Sequence, residues 1–211
     1  MSKSNKASLL ALKNLPHDFV RVTGSPVALW QRPRILYDGT GARRKIRGGA
    51  LLIANHTGFF DPVYMMLAVP YRRQFFIVSE EVMDKPLGTL LRACRCIRID
   101  RQNPNLATFR EIIARLKSGE VISMFPEGHI NRDAAGSFQS GMVLMAVRSG
   151  VPIVPMYIKP KQKPSDRLTV VLGERVSVTE LYGDRPTFAQ IDAATRLLYE
   201  REAKLAELLR D

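Results

Sequence analysis

Ala50-Leu51-Leu52-Ile53-Ala54-Asn55-His56-Thr57-Gly58-Phe59-Phe60-Asp61-Pro62 joins a short apolar run to a helix start through a polar turn. Gly48-Gly49 precedes the run, so five apolar residues in sequence predict a buried strand. Asp61-Pro62 predicts a helix, with Asp61 as its N-cap and Pro62 at the first helical position, where a missing N–H costs nothing. His56 therefore leaves a strand end while Asp61 opens a helix. Residues five apart point to different faces of a continuous helix, whereas a strand-turn-helix with Gly58 in the turn folds the two side chains together. A carboxylate accepting from Nδ1–H fixes the imidazole tautomer and leaves Nε2 to take a proton. The same spacing also suits a plain helix cap beside a polar loop residue.

Strand and helix patterns alternate outward from this stretch. Strands are predicted at Ala50–Ala54, Gln74–Val78, Cys94–Ile99, Val121–Phe125, Ile153–Ile158 and Leu168–Leu172, and helices at Pro62–Ala68, Lys85–Arg92, Asn105–Lys117 and Ser140–Ser149. In the third of these helices Leu106, Phe109, Ile113 and Leu116 share a face and Gly119 stops it. Thr187 and Gln190 form a capping box before one long closing helix. The alternation predicts an α/β fold, a largely parallel or mixed sheet flanked by helices. Ligands bind beyond the carboxyl ends of such strands, and His56, Asp100-Arg101 and Pro126-Glu127-Gly128-His129 all fall there.

The 211 residues suit one domain, and the formal charge is +12. Residues 1–49 hold ten Lys/Arg against Asp18 and Asp38, so most of the excess lies in a basic, amphipathic N-terminal segment ahead of a domain at 50–211. Its pieces, Ser8 to Leu15 and Phe19 to Tyr37, mix apolar and cationic residues and are interrupted at Pro16, Gly24, Pro26 and Pro33. They suit either a bilayer interface or an arm packed on its own domain. No helix-turn-helix, ribonucleoprotein or Cys/His finger pattern is present, so an anionic membrane surface, and not nucleic acid, is the expected partner. Cys94 and Cys96 lack a second ligand pair for zinc and sit too close for a mutual disulfide, which predicts buried strand thiols in a reducing compartment. No stretch is long and apolar enough to span a bilayer, and no secretory leader is evident. A cytoplasmic location, peripheral on the inner face of the cell membrane, is the expectation.

In order along the chain, Asn55 to Asp61, Arg98-Ile99-Asp100-Arg101, Phe125-Pro126-Glu127-Gly128 and Val151-Pro152-Ile153-Val154-Pro155 resemble the four blocks of the glycerophospholipid acyltransferase family, which includes bacterial lysophosphatidic acid acyltransferases. The resemblance covers residues 55–155. It implies transfer of a fatty acyl group from acyl-CoA or acyl carrier protein to the free hydroxyl of lysophosphatidate, with those donors as co-substrates and neither cofactor nor metal. His56 is then the general base and Asp61 its orienter, since an alcohol near neutral pH needs its proton removed as it attacks a thioester. No Gly-x-Ser-x-Gly elbow offers a serine nucleophile. Arg101 matches the family's phosphate-binding arginine, and Arg98 or Arg132 adds charge, although strand alternation equally makes Arg98 a surface residue. Glu127 orders the acceptor hydroxyls or the arginines, Gly128 permits close backbone approach, and His129 either contacts the headgroup or starts a loop. Met65, Met66, Met142 and Met145 are candidates for an acyl groove or for the core.

The third block departs from the family pattern, continuing His129-Ile130-Asn131 where Thr-Arg-Ser is common. Cys94, Arg95 and Cys96 replace the glycine and aromatic usual before the second block, and Gln139 stands where a lysine is frequent. These departures put the acceptor headgroup in question. The alternatives are another lysophospholipid or glycerol-phosphate acceptor or, in a different class, a lipid-surface binding protein without turnover.

Overall fold

The computed structural model describes residues 12–23, 26, 33–100, 103, 105–126, 132–161, 163 and 166–209, with the side chains of residues 132–139 outside that description. The described residues build one seven-stranded sheet: β1 (Arg34–Tyr37), β2 (Ala50–Ala54), β3 (Gln74–Ser79), β4 (Ile97–Ile99), β5 (Val121–Met124), β6 (Ile153–Ile158) and β7 (Thr169–Leu172). Their order is β1-β7-β6-β2-β5-β3-β4, and only β6 and β7 pair antiparallel. The sheet is thus mixed but largely parallel. β2 lies at its centre between β5 and β6 and is buried throughout, which explains an apolar run with no polar alternation.

Side chains alternate between the two faces. Leu51 and Ile53 of β2 join Ile122 and Met124 of β5 under the helices α6 (Leu106–Lys117), α7 (Arg132–Ser149) and α9 (Phe188–Glu207). Leu52 and Ala54 face the other way, with Phe76, Val121 and Phe125, toward α3 (Asp61–Ala68). Burying each large side chain in these two cores contributes roughly 1.5–3 kcal/mol. Gly49 keeps the layers close, because a Cβ there would stand 2.1 Å from the Leu116 carbonyl oxygen at the end of α6. α6 starts at Asn105, whose side chain accepts from Ala107 N–H, and α9 starts at the capping box of Thr187 and Gln190. The face of α6 is centred on Ile112 and Leu116, while Leu106 is exposed.

Several expected elements take another form. Arg34–Tyr37, read as the end of an amphipathic segment, is an edge strand paired with β7, so the basic N-terminal stretch contributes to the sheet. Residues 12–23 form one helix, α1, which passes through Pro16; this early in the described helix, the ring removes only the bond to the Leu12 carbonyl. Lys85–Arg92 is divided between the end of α4 (Glu80–Met83), a turn, and α5 (Gly88–Ala93). Cys94 and Cys96 are free thiols but not strand residues: Cys94 caps α5, and Arg95, at φ 60°, turns the chain into β4. The Arg95 guanidinium accounts for that turn, donating to Asn14 Oδ1 of α1 and to Glu120 while lying 4.6 Å from the Phe75 ring centroid. Two short helices, α2 (Gly39–Ala42) and α8 (Val178–Tyr182), complete the described elements.

Candidate active site

The end of β2 is pinned before the histidine is reached. Asn55 is buried, and its side-chain amide donates to Ile158 O at 2.9 Å and accepts from Ile158 N–H at 2.7 Å, adding one more rung between β2 and β6. The next residue, His56, turns over the carboxyl edge of the sheet and stacks on Phe125, with ring centroids 4.5 Å apart and an interplanar angle of 17°. His56 Nδ1 lies 2.8 Å from Asp61 Oδ2. The Asp61 side chain is 1% exposed and that of His56 32%, so a buried carboxylate holds an imidazole whose other edge reaches the surface.

Asp61 is the first residue of α3, and its N-cap is Phe60, which makes no side-chain cap bond. The expected capping role is therefore corrected. The carboxylate turns back on the chain before the helix, accepting from the N–H groups of Thr57 and Gly58 through Oδ2 and from Thr57 Oγ through Oδ1. Gly58 contributes a donor rather than unusual torsions, since its φ is not positive. Burial pushes the Asp61 carboxyl up, and the hydrogen bonds from His56, Gly58 and Thr57 together reverse that, so it titrates below its ordinary 3.8. An ionised acceptor makes Nδ1 the protonated ring nitrogen and assigns proton transfer to Nε2.

His56 stands at one end of an apolar cavity of about 330 Å³, whose walls include Met66 of α3, Phe76 and Val78 of β3, Val82 of α4 and Leu91 of α5. Of the four methionines considered for a groove, Met66 alone lines this cavity, while Met65, Met142 and Met145 are core residues. Cys94 and Cys96 line it too. Burial pushes the Cys96 thiol up to about 11, which keeps it protonated and a poor nucleophile.

The remaining predicted residues fall in three groups. Arg98 is an exposed strand residue between the buried Ile97 and Ile99, and its guanidinium meets Glu80 and, at 3.1 Å, Asp84. Two carboxylates thus already hold its charge. Arg101, Glu127, Gly128 and His129 lie outside the described residues. Arg132 opens α7, with its side chain likewise outside. Among the described residues no group of three or more His, Cys, Asp or Glu side chains is placed to hold a metal ion.

Sequence reasoning missed Asn55, Thr57 and Phe125 as parts of the site. Asn55 and Thr57 flank the histidine within the quoted motif, and Phe125 opens the third block, so position beside a motif was the available signal.

A family model described as Acyltransferase matches residues 34–159. The 1-acyl-sn-glycerol-3-phosphate acyltransferase of Bacillus subtilis is 22% identical over 167 residues, 76% of this chain and 83% of that protein. The enzyme of the same name from Streptococcus pneumoniae is 31% identical over 108 residues, 50% of this chain but 40% of that protein. In three dimensions the chain resembles the crystal structure of the 1-acyl-sn-glycerophosphate acyltransferase of Thermotoga maritima, with a TM-score of 0.61 at 22% identity, covering 99% of this chain and 83% of that one.

Proposed function

This chain belongs to the Acyltransferase family, and on that premise we propose that it moves a fatty acyl group from a thioester, acyl-CoA or acyl carrier protein, to the free hydroxyl of lysophosphatidate, giving phosphatidate. The observation that carries the reading is a histidine paired with a buried carboxylate at the mouth of an apolar cavity. The acceptor hydroxyl attacks the thioester carbonyl while His56 Nε2 removes its proton. The tetrahedral intermediate then expels the thiolate, which takes that proton back from the imidazolium. No acyl-enzyme forms, and the ionised Asp61 stabilises the transient positive charge. The fatty chain occupies the cavity beside His56. Arg101 holds the acceptor phosphate, with Arg132 adding charge, and Glu127, Gly128 and His129 meet the headgroup. Arg98, engaged by Glu80 and Asp84, enters that site only by exchanging partners.

Thiol release from acyl-CoA, followed with and without lysophosphatidate, tests the reaction. Release should require the acceptor and yield phosphatidate by mass spectrometry. If no lysolipid in a panel stimulates release from any acyl donor, the proposal fails. A panel member that outcompetes lysophosphatidate would instead assign the altered third block to a different headgroup.

The arrangement of α1 supports a membrane surface as the place of reaction. Asn14, His17, Asp18 and Arg21 dock this helix onto the domain, to Arg95, to the Gln74 carbonyl, to Arg73 and to the Pro70 carbonyl. Leu12, Leu15, Phe19 and Val22, all between 57% and 71% exposed, form the outer face. A helix attached by its polar side and apolar on its outer side is matched to a bilayer interface. Among the described residues no helix is long and apolar enough to cross a membrane. Replacing Phe19 and Leu15 together by Glu should lower sedimentation with anionic vesicles at least about tenfold, each exposed side chain being worth on the order of 1 kcal/mol at an interface. Unchanged vesicle binding by a folded double variant would remove α1 from that role.

A further inference from the structure

The sheet register gives the cavity a direction. Gln74 is level with Val121, and Val121 with Ala50, so Gln74 marks the starts of the parallel strands, whereas His56 and Ser79 lie beyond or at their ends. From Gln74 to Ser79 is five steps along β3, about 16 Å at ~3.3 Å per residue. Besides two thiols, the polar members of the described lining fall at its two ends, His56 and Ser79 above, His17 and Gln74 below.

The lower end is firm. His17 is 4% exposed, its Nε2–H donates to the Gln74 carbonyl at 2.8 Å, and its ring lies 5.3 Å from that of Phe75. The fully buried Gln74 side chain is tied at both ends, donating to Met65 O at 2.8 Å and accepting from Ser123 Oγ at 2.9 Å. An apolar chain that reaches this floor can go further only by breaking buried hydrogen bonds, which methylenes cannot replace.

We propose that His17, carried on α1, closes the cavity end opposite His56 and so limits the length of fatty acyl chain the protein accepts. This rests on the acyl cavity assigned under the proposed function. Extended backbone advances about 3.6 Å per three bonds, and the same tetrahedral geometry gives roughly 1.2 Å per methylene, so the cavity measures about 13 carbons. Removing the imidazole opens about 3–4 Å more, or roughly three carbons. The surface that meets the bilayer and the stop that measures the chain then lie on opposite faces of one helix.

The test is displacement of a fluorescent fatty acid from the full-length protein by saturated acyl-CoA donors graded two carbons apart, beside acyl transfer to lysophosphatidate. For the wild type, affinity should rise with length and stop rising near the cavity length. His17→Ala should move that maximum about two to four carbons longer and raise the long-to-short affinity ratio about tenfold, since one methylene in a pocket is worth roughly 10-fold or more. His17→Asn keeps a donor for the Gln74 carbonyl on a shorter side chain, should shift the maximum in the same direction, and decides the matter if circular dichroism shows the alanine variant unfolded. An unchanged maximum in the folded variants, or no displacement from the wild type, overturns the assignment. Shifted binding without acyl transfer under any condition would reject the proposed reaction and keep the stop, while transfer with an unshifted maximum would do the reverse.

Discussion

His56→Ala lowers turnover by about 10²–10⁴-fold, the usual contribution of a positioned base, and leaves the fold in place. The structural half of that expectation follows from what remains. Without the imidazole, the Asp61 carboxylate still accepts from Thr57 N–H, Thr57 Oγ and Gly58 N–H, so no buried charge is stranded. The loss is one hydrogen bond and the stack on Phe125, roughly 1–2 kcal/mol together. Because the histidine side chain is 32% exposed, water fills part of its space. Single-turnover acyl transfer separates chemistry from product release, and denaturant unfolding checks the fold. A folded variant that retains activity within about tenfold of the wild type would take the base out of His56's hands.

How far this site can be read from sequence depends on the range of each contact. The paired His56 and Asp61 lie five residues apart on a strand-turn-helix whose parts are each locally encoded, and the geometry follows from the turn between them. The remaining supports are not local. Asn55 bonds to Ile158, 103 residues away, and Phe125 reaches His56 only because the sheet sets β5 beside β2. Backbone donors leave no trace in residue type, so Asp61 could be read as a helix cap when the amides it satisfies precede the helix.

The same division holds for the fold. β2 and β6 were legible at their full extent, since a run buried on both faces needs no partner to identify it, and α9 was announced by its capping box. Arg34–Tyr37 is an exposed-edge strand of four residues, two of them exposed, and only its pairing with β7 makes it a strand. The end of the expected Cys94 strand was lost to Arg95, whose positive φ is set by a network from Asn14 to Glu120 and not by neighbours in sequence. α1 presents the clearest case. Its polar and apolar faces were both visible as amphipathicity, but which face meets the protein was not, because the usual rule would bury the apolar one. Polar docking partners at Pro70, Arg73, Gln74 and Arg95 invert it.

Asp61→Asn should lose turnover on the order of 10⁴-fold, the scale found when the carboxylate that orients a catalytic histidine becomes an amide. The substitution is nearly isosteric at a fully buried position, so the effect is one of charge and hydrogen-bond polarity. Both carboxylate oxygens now act as acceptors, for His56 and two backbone N–H groups on one side and for the Thr57 hydroxyl on the other. An amide replaces one acceptor with a donor and withdraws the negative charge that stabilises imidazolium. Stability should fall by roughly 1–3 kcal/mol at neutral pH. The pH dependence identifies the cause. The folded carboxyl titrates below its ordinary 3.8, so its stabilisation is fully present above that value and is lost as pH falls through the lower folded one. Wild type and Asp61→Asn should therefore differ in unfolding free energy at pH 7 and converge in acid. A constant difference across that range would mean that shape, not ionisation, sets the role of Asp61, and near-normal turnover by the folded variant would remove the carboxylate from the mechanism.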